Sequence, residues 1–271
     1  MDKKYKGLVV CDIDNTLVVK HEPLTAASKE VIDELKKEGW LFGLASGRAV
    51  YQVHVLEKQW DIKCDLIIGI NGCEMYDGLD DKFEMLYDMK PEWVKEAIDI
   101  MKDFDTTPCL AIGEKWISKN TGPDAYLSKK YLKEDPNLIV TDDLSPYIGE
   151  PVSKICFRTK EEDMPEIEAH AVQFKNDKYK TVKTEKNMFE FCNINASKGN
   201  LMKIFCDRHN IDLKDVWAFG DMSNDIDMIE MAGNGVCMLN GSDETKAAAD
   251  YISEKTINDD GFAYFTRNHI L

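Results

Sequence analysis

The sequence predicts an α/β protein: a parallel-sheet domain interrupted by an inserted α+β module. Three observations predict it. The first 70 residues alternate short continuous apolar runs with helical patterns across short turns, the signature of βαβ units. The texture then changes to hairpins and turn clusters for about a hundred residues, flanked by short strands instead of crossovers. After about residue 190 the βα rhythm returns, so the first and last parts belong together.

Leu8-Val9-Val10-Cys11 is a short apolar run, read as a strand buried on both faces that ends in Asp12-Ile13-Asp14-Asn15-Thr16. A polar turn, His21 to Leu24, leads to Thr25 as helix N-cap. Ala27, Val31, Ile32 and Leu35 follow at helical spacing, with Gly39 as terminator. Trp40 to Ala45 is a second buried strand that stops at Ser46-Gly47-Arg48. A helix from about Ala49 to Trp60 precedes a third strand, Asp65 to Ile70, ending at Asn71-Gly72.

Cys73–Tyr76 and Phe83–Tyr87 flank Asp77-Gly78-Leu79-Asp80-Asp81 as a hairpin. Helical stretches near 91–104 and 161–175, several short strands, and the turn clusters Asn120-Thr121-Gly122-Pro123 and Gly149-Glu150-Pro151 make up the insert. Ser197 to Asn210 then reads as a helix carrying Leu201, Ile204 and Phe205. Val216 to Phe219 is a strand running into Gly220-Asp221. A helix, a strand from Gly235 to Leu239, a helix from Glu244 to Ala249 and a last helix near 259–267 complete the chain. Gly233-Asn234-Gly235-Val236 lacks both the dinucleotide and the P-loop glycine patterns and reads as a turn. The expected segments are 1–84 and 190–271 for the core and 85–189 for the insert.

Composition bounds the function. The chain has 271 residues, 44% of them hydrophobic, enough for a sizeable core. A formal net charge of −16 leaves no basic stripe for a phosphate-backbone polymer, so no nucleic-acid partner is expected. Eight cysteines lie scattered without a CxxC pair, as suits reduced thiols, and five dispersed histidines give no zinc spacing. No stretch approaches the roughly 20 apolar residues of a membrane span, and the apolar run near the start is too short for a signal peptide. A cytoplasmic location without membrane attachment is expected.

Four stretches at strand ends or helix starts carry chemistry, because ligands of open parallel sheets bind at the carboxyl ends of the strands. Strand periodicity puts Asp12 and Asp14 on one side, where two carboxylates roughly 4 Å apart repel by about 4 kcal/mol at an effective dielectric near 20. A divalent cation would offset this. The competing reading is an Asx turn, whereas a calcium loop of the EF-hand kind fails because Leu17 replaces its glycine. Ser46-Gly47-Arg48 is a helix N-cap or a phosphate seat. Lys198 is a surface charge unless its companions gather around it. Gly220-Asp221-Met222-Ser223-Asn224-Asp225 is a capping turn or a source of hard oxygen ligands suited to Mg²⁺.

In this order, DxDxT, serine after the second strand, lysine and GDxxND, the motifs resemble the haloacid dehalogenase (HAD) superfamily. The resemblance covers the whole chain. Asn71-Gly72, NDIDMIEMAG and ADYISEKTINDDGFAY are similar to the Cof-like subfamily IIB phosphatases. Asn15 stands where glycine is usual, and Ser46 where threonine is more frequent. The resemblance implies a Rossmann-like core with an inserted cap at 85–189. It also implies a Mg²⁺-dependent phosphatase of small phosphorylated metabolites, sugar phosphates above all. Asp12 would be the nucleophile and Asp14 the acid/base, with Ser46 and Lys198 holding the phosphoryl oxygens. Metal ligands would be Asp12, Asp14 through its backbone carbonyl, and Asp221, with Asn224 or Asp225 completing or orienting the shell. Gly47, Arg48, Asn71 and Asn224 are candidate substrate contacts beside Ser46 and Lys198, and Lys115 and Trp116 are candidates in the cap. The rivals are a phosphomutase on the same scaffold and a metal-bound regulator without catalysis.

Overall fold

A computed structural model describes residues 4–20, 22–122 and 137–271. His21 of the first polar turn and Pro123 of the insert's turn cluster lie outside the described residues. The chain divides into two compact units, Met1–Glu84 with Ser197–Leu271, and Met85–Ala196.

The first unit is built on an eight-stranded sheet. Its strands are β1 (Leu8–Asp12), β2 (Leu41–Ala45), β3 (Leu66–Gly69), β4 (Glu74–Asp77), β5 (Lys82–Met85), β12 (Val216–Gly220), β13 (Asn234–Cys237) and β14 (Tyr251–Ile252). The order is β14-β13-β12-β1-β2-β3-β4-β5, parallel from β14 to β3, with β4 antiparallel to β3. All five residues of β1 and of β2 are buried, as their unbroken apolar runs require. Odd and even positions face opposite ways. Val9 and Cys11 join Phe42, Leu44, Ile67 and Phe219 in one cluster.

That cluster is covered by α1 (Ala26–Lys37), α2 (Val50–Trp60) and α8 (Gly261–His269), through Val31, Ile32, Leu35, Val53, Trp60, Phe262 and Phe265. Thr25 caps α1 as expected, its hydroxyl accepting from the Ser28 N–H at 3.2 Å, and Gly39 takes φ 87° just beyond it. The remaining helices of this unit are α5 (Lys198–His209), α6 (Ile226–Met231) and α7 (Asp243–Ala248). On α5, Leu201 and Phe205 are buried with Met202 and Cys206, while Ile204 is half-buried.

The sequence offers both a strand from Gly235 and a turn at the same glycine, and the turn is corrected here. Asn234-Gly235-Val236 is strand, not turn. A Cβ on Gly235 would sit 2.4 Å from the Ile229 carbonyl oxygen, so this glycine permits close helix–strand packing instead of a bend.

The second unit has a six-stranded sheet of order β10-β11-β9-β6-β7-β8. These strands are β6 (Thr107–Ile112), β7 (Lys115–Lys119), β8 (Leu138–Thr141), β9 (Lys154–Arg158), β10 (Tyr179–Glu185) and β11 (Met188–Asn193). All neighbours are antiparallel except β7 and β8. Helices α3 (Pro91–Ile100) and α4 (Met164–Ala171) share a core with Leu110, Ile117, Ile155, Phe157 and Phe191. The alternate positions of β9 and β11 instead carry a buried ion pair, Lys154 Nζ to Glu190 Oε1 at 2.8 Å. Because β11 pairs with β9 and β10, the second break between the units falls at 196/197, not at the expected 189/190.

Candidate active site

Parallel register sets the site. Asp12 lies level with Ala45 on β2, and Cys11 level with Phe219 on β12. Ser46 and Asp221 therefore follow their strands at the same edge of the sheet where β1 ends in Asp12. Lys198 comes to this edge from the first position of α5, whose N-cap Ser197 accepts from the Asn200 N–H at 3.0 Å.

The Lys198 ammonium is wholly buried and donates to Asp12 Oδ1 and to Asp225 Oδ1, each at 2.6 Å. Asp225 Oδ2 in turn accepts the N–H groups of Asp221 (3.0 Å) and Met222 (3.1 Å). Asp225 thus ties the lysine to the loop after β12. Gly220 makes room for it, since a Cβ there would lie 2.3 Å from the Asp225 Cβ. Asp221 Oδ1 accepts from the buried Thr16 hydroxyl at 2.8 Å.

Asp12, Asp221 and Asp225 are all buried, with one oxygen from each within 4.8 Å of the others. Among these three carboxylates stands one ammonium, hydrogen-bonded to Asp12 and Asp225 but not to Asp221. Burial pushes the Asp12 carboxyl up to about 8 against the pull of Lys198, and Asp221 up to about 6 against the Thr16 hydrogen bond. Burial alone would lower Lys198, but Asp12 and Asp225 outweigh it and hold the ammonium above its usual range. Hard oxygen donors carrying more negative charge than the protein balances fit a divalent cation such as Mg²⁺.

Asp14 stands elsewhere. Strand β1 ends at Asp12, so the two-residue periodicity does not reach Asp14, and its carboxylate is not part of the crowded cluster. Arg48 grips it in a two-pronged pair, Nε to Oδ2 at 3.0 Å and Nη2 to Oδ1 at 2.7 Å. Directly after Asp14, Asn15 adopts φ 67°, a left-handed turn that asparagine tolerates, and its carbonyl accepts from Asn240 Nδ2 at 2.8 Å. Asn15 thus meets the backbone demand otherwise met by glycine.

Ser46 is buried, and its hydroxyl accepts from the Arg48 N–H at 3.2 Å. Gly47 has Asn71 against it, and Asn71 Oδ1 accepts from Asn224 Nδ2 at 3.1 Å. The Asn224 amide is thereby turned to Asn71, while Asp225 faces Lys198. Lys115 and Trp116 open β7 in the second unit, Lys115 exposed and Trp116 half-buried, with Lys154 Nζ 5.7 Å from the Trp116 ring centre.

Thr16, Asn240 and Gly220 support the site without having been singled out for a role. Thr16 and Gly220 had a signal, their places in DxDxT and GDxxND, and Asn240 had none. A second acidic group, Asp77, Asp80 and His209, is accounted for as a turn: Asp77 Oδ1 accepts from Leu79 and Asp80, and Oδ2 faces His209 Nε2 at 2.8 Å.

Residues 9–265 match the haloacid dehalogenase-like hydrolase family. Two Bacillus subtilis proteins, each named 5-amino-6-(5-phospho-D-ribitylamino)uracil phosphatase, are similar to this chain. One is 25% identical, covering 97% of both chains, and the other is 25% identical, covering 95% of this chain and 96% of its own. A haloacid dehalogenase-like hydrolase from Bacteroides thetaiotaomicron shares the fold at a TM-score of 0.83 and 23% identity, over 98% of this chain and 99% of that one.

Proposed function

The chain belongs to the haloacid dehalogenase-like hydrolase family and is a phosphoric monoester hydrolase, and on that premise we propose that it acts on small phosphorylated metabolites, sugar phosphates first, with Mg²⁺ in the carboxylate pocket. One observation carries the reading: a fully buried ammonium shared by Asp12 and Asp225, with Asp221 completing a pocket of excess negative charge.

Asp12, Asp221 and the Asp14 backbone carbonyl would hold the cation, with Asp225 orienting the set. Bound there, Mg²⁺ supplies charge neutralisation for the phosphate dianion beside these acids. Asp12 attacks phosphorus in line, forming an aspartyl-phosphate as the ester P–O bond breaks. Asp14, protonated, gives its proton to the departing alkoxide. Arg48 occupies both Asp14 carboxylate oxygens, so this pair must open before the proton is given. In the second half, Asp14 takes a proton from water, which attacks phosphorus and frees Asp12 and inorganic phosphate. Lys198, the Ser46 hydroxyl and the Gly47 N–H hold the equatorial oxygens where charge develops. Arg48, Asn71 and Asn224 border this seat.

Substrate choice is assigned to the inserted unit as a cap that excludes water, with Lys115 and Trp116 as candidate contacts. The ribityl phosphate named for two relatives is a polyol monoester, chemically close to a sugar phosphate.

Phosphate release from p-nitrophenyl phosphate and a panel of sugar phosphates tests the reading. Asp12→Asn should lower turnover by at least about a thousandfold with folding intact. Wild-type activity in that variant would remove Asp12 as nucleophile. Isomerised sugar phosphate without free phosphate would make the enzyme a mutase.

A further inference from the structure

Just past β3 the backbone does something few sequences permit. Ile70, Asn71 and Gly72 take φ 48°, 51° and 98°, three consecutive left-handed residues. Asparagine and glycine accept this region, but a β-branched isoleucine is a true outlier there. Strain of this kind persists only where the surroundings impose it, and it clusters where geometry matters.

The surroundings are the active-site segments themselves. The Ile70 N–H donates to the Arg48 carbonyl and the Asn71 N–H to the Ser46 carbonyl, both at 2.9 Å. Both ends of the Ser46–Arg48 loop are therefore fastened by this one turn. The Asn71 amide lies against Gly47, where a Cβ would come within 3.3 Å of its Oδ1. That same Oδ1 accepts from Asn224 on the loop after β12. Gly72 is pressed on the cap of α5, with a Cβ at that position 2.2 Å from the Ser197 carbonyl. One three-residue turn thus touches the serine loop, the N-cap preceding Lys198 and the loop of Asp221.

We propose that Ile70–Gly72 is the positioning turn of this site and that Asn71 is a positioning residue, linking the Ser46–Arg48 loop to Asn224 without contacting the substrate. The proposal rests on the phosphoryl-transfer reading above and revises the place given there to Asn71. A group that sets the phosphoryl seat acts on every ester alike, whereas a group that touches the alcohol portion discriminates among them.

Asn71→Gly is the variant that separates backbone from side chain, because it keeps the left-handed turn and deletes only the amide. We expect kcat/KM to fall about tenfold to a hundredfold, by the same factor for p-nitrophenyl phosphate and glucose 6-phosphate. The thermal midpoint should stay near that of the parent. Asn224→Ala should give a similar loss, and the double variant little more than either single one. Parental kinetics in Asn71→Gly, or a loss confined to one ester, overturns the proposal. A readout independent of turnover comes from NMR: the Gly47 N–H and the Asn224 side-chain amide should shift in Asn71→Gly. Unchanged signals sink the link even if the parent hydrolyses neither ester, a result that would separately count against the sugar-phosphate reading.

Discussion

Lys198 carries a positive charge with no exposure to water, a state that costs several kcal/mol unless the charge is fully paired. The two carboxylates at 2.6 Å pair it, and in doing so they leave Asp221 to face the site on the strength of one hydroxyl. Thr16→Val keeps the shape and removes that donor. A hydrogen bond to a charged group contributes about 1.5–3 kcal/mol, so the metal-free protein should lose about 2 kcal/mol in a urea titration. Mg²⁺ affinity by calorimetry should fall about tenfold or more, as when an outer partner of a ligating carboxylate is removed. Thr16→Ser should restore both. Undiminished Mg²⁺ affinity in the valine variant would show that Asp221 needs no such support.

At the scale of elements, two tight contacts hold short helices to their neighbours. A Cβ on Gly199 would meet the Asp227 carbonyl of α6 at 2.6 Å, and one on Gly235 would meet Ile229 of the same helix at 2.4 Å. Backbone cannot yield as a flexible side chain can. Gly235→Ala should therefore lose about 1–3 kcal/mol by overpacking, read from the urea midpoint, while an alanine at solvent-facing Gly149, with no atom within 4 Å of its Cβ, should leave it unchanged. An equal effect at both positions would refute the packing argument. These contacts also explain what the sequence could and could not reveal. Strands β1, β2 and β12 were legible because unbroken apolar runs have one cheap solution, burial in a parallel sheet, and the ends of those strands placed Asp12, Ser46 and Asp221 together. The turn reading of Gly233–Val236 failed because glycine serves close approach as well as bends, and only the neighbour decides which. Asp225 on Lys198, Arg48 on Asp14 and the left-handed Ile70 depend on contacts between segments far apart in the chain, which no local pattern encodes.

The whole molecule carries a net charge of −16, and part of that imbalance is concentrated in the pocket of Asp12, Asp221 and Asp225. Burial raises Asp12 to about 8 and Asp221 to about 6 from an ordinary 3.8 in the metal-free protein. Between about pH 4 and 8 the folded chain then binds more protons at these groups than the unfolded chain does. By linkage its stability falls as pH rises through that window, on the order of 1 kcal/mol per pH unit for each such proton. A cation bound by the carboxylates favours their ionised forms and should cancel the slope, so the stabilisation by Mg²⁺ must grow from pH 5 to pH 8. Thermal unfolding across that range, with Mg²⁺ and with NaCl at matched ionic strength, measures it. The matched salt matters because any acidic protein gains from general screening. Asp221→Asn should abolish the Mg²⁺-specific part and keep the salt response. Equal gains from Mg²⁺ and NaCl at every pH would mean that the excess charge of the pocket is not a cation site.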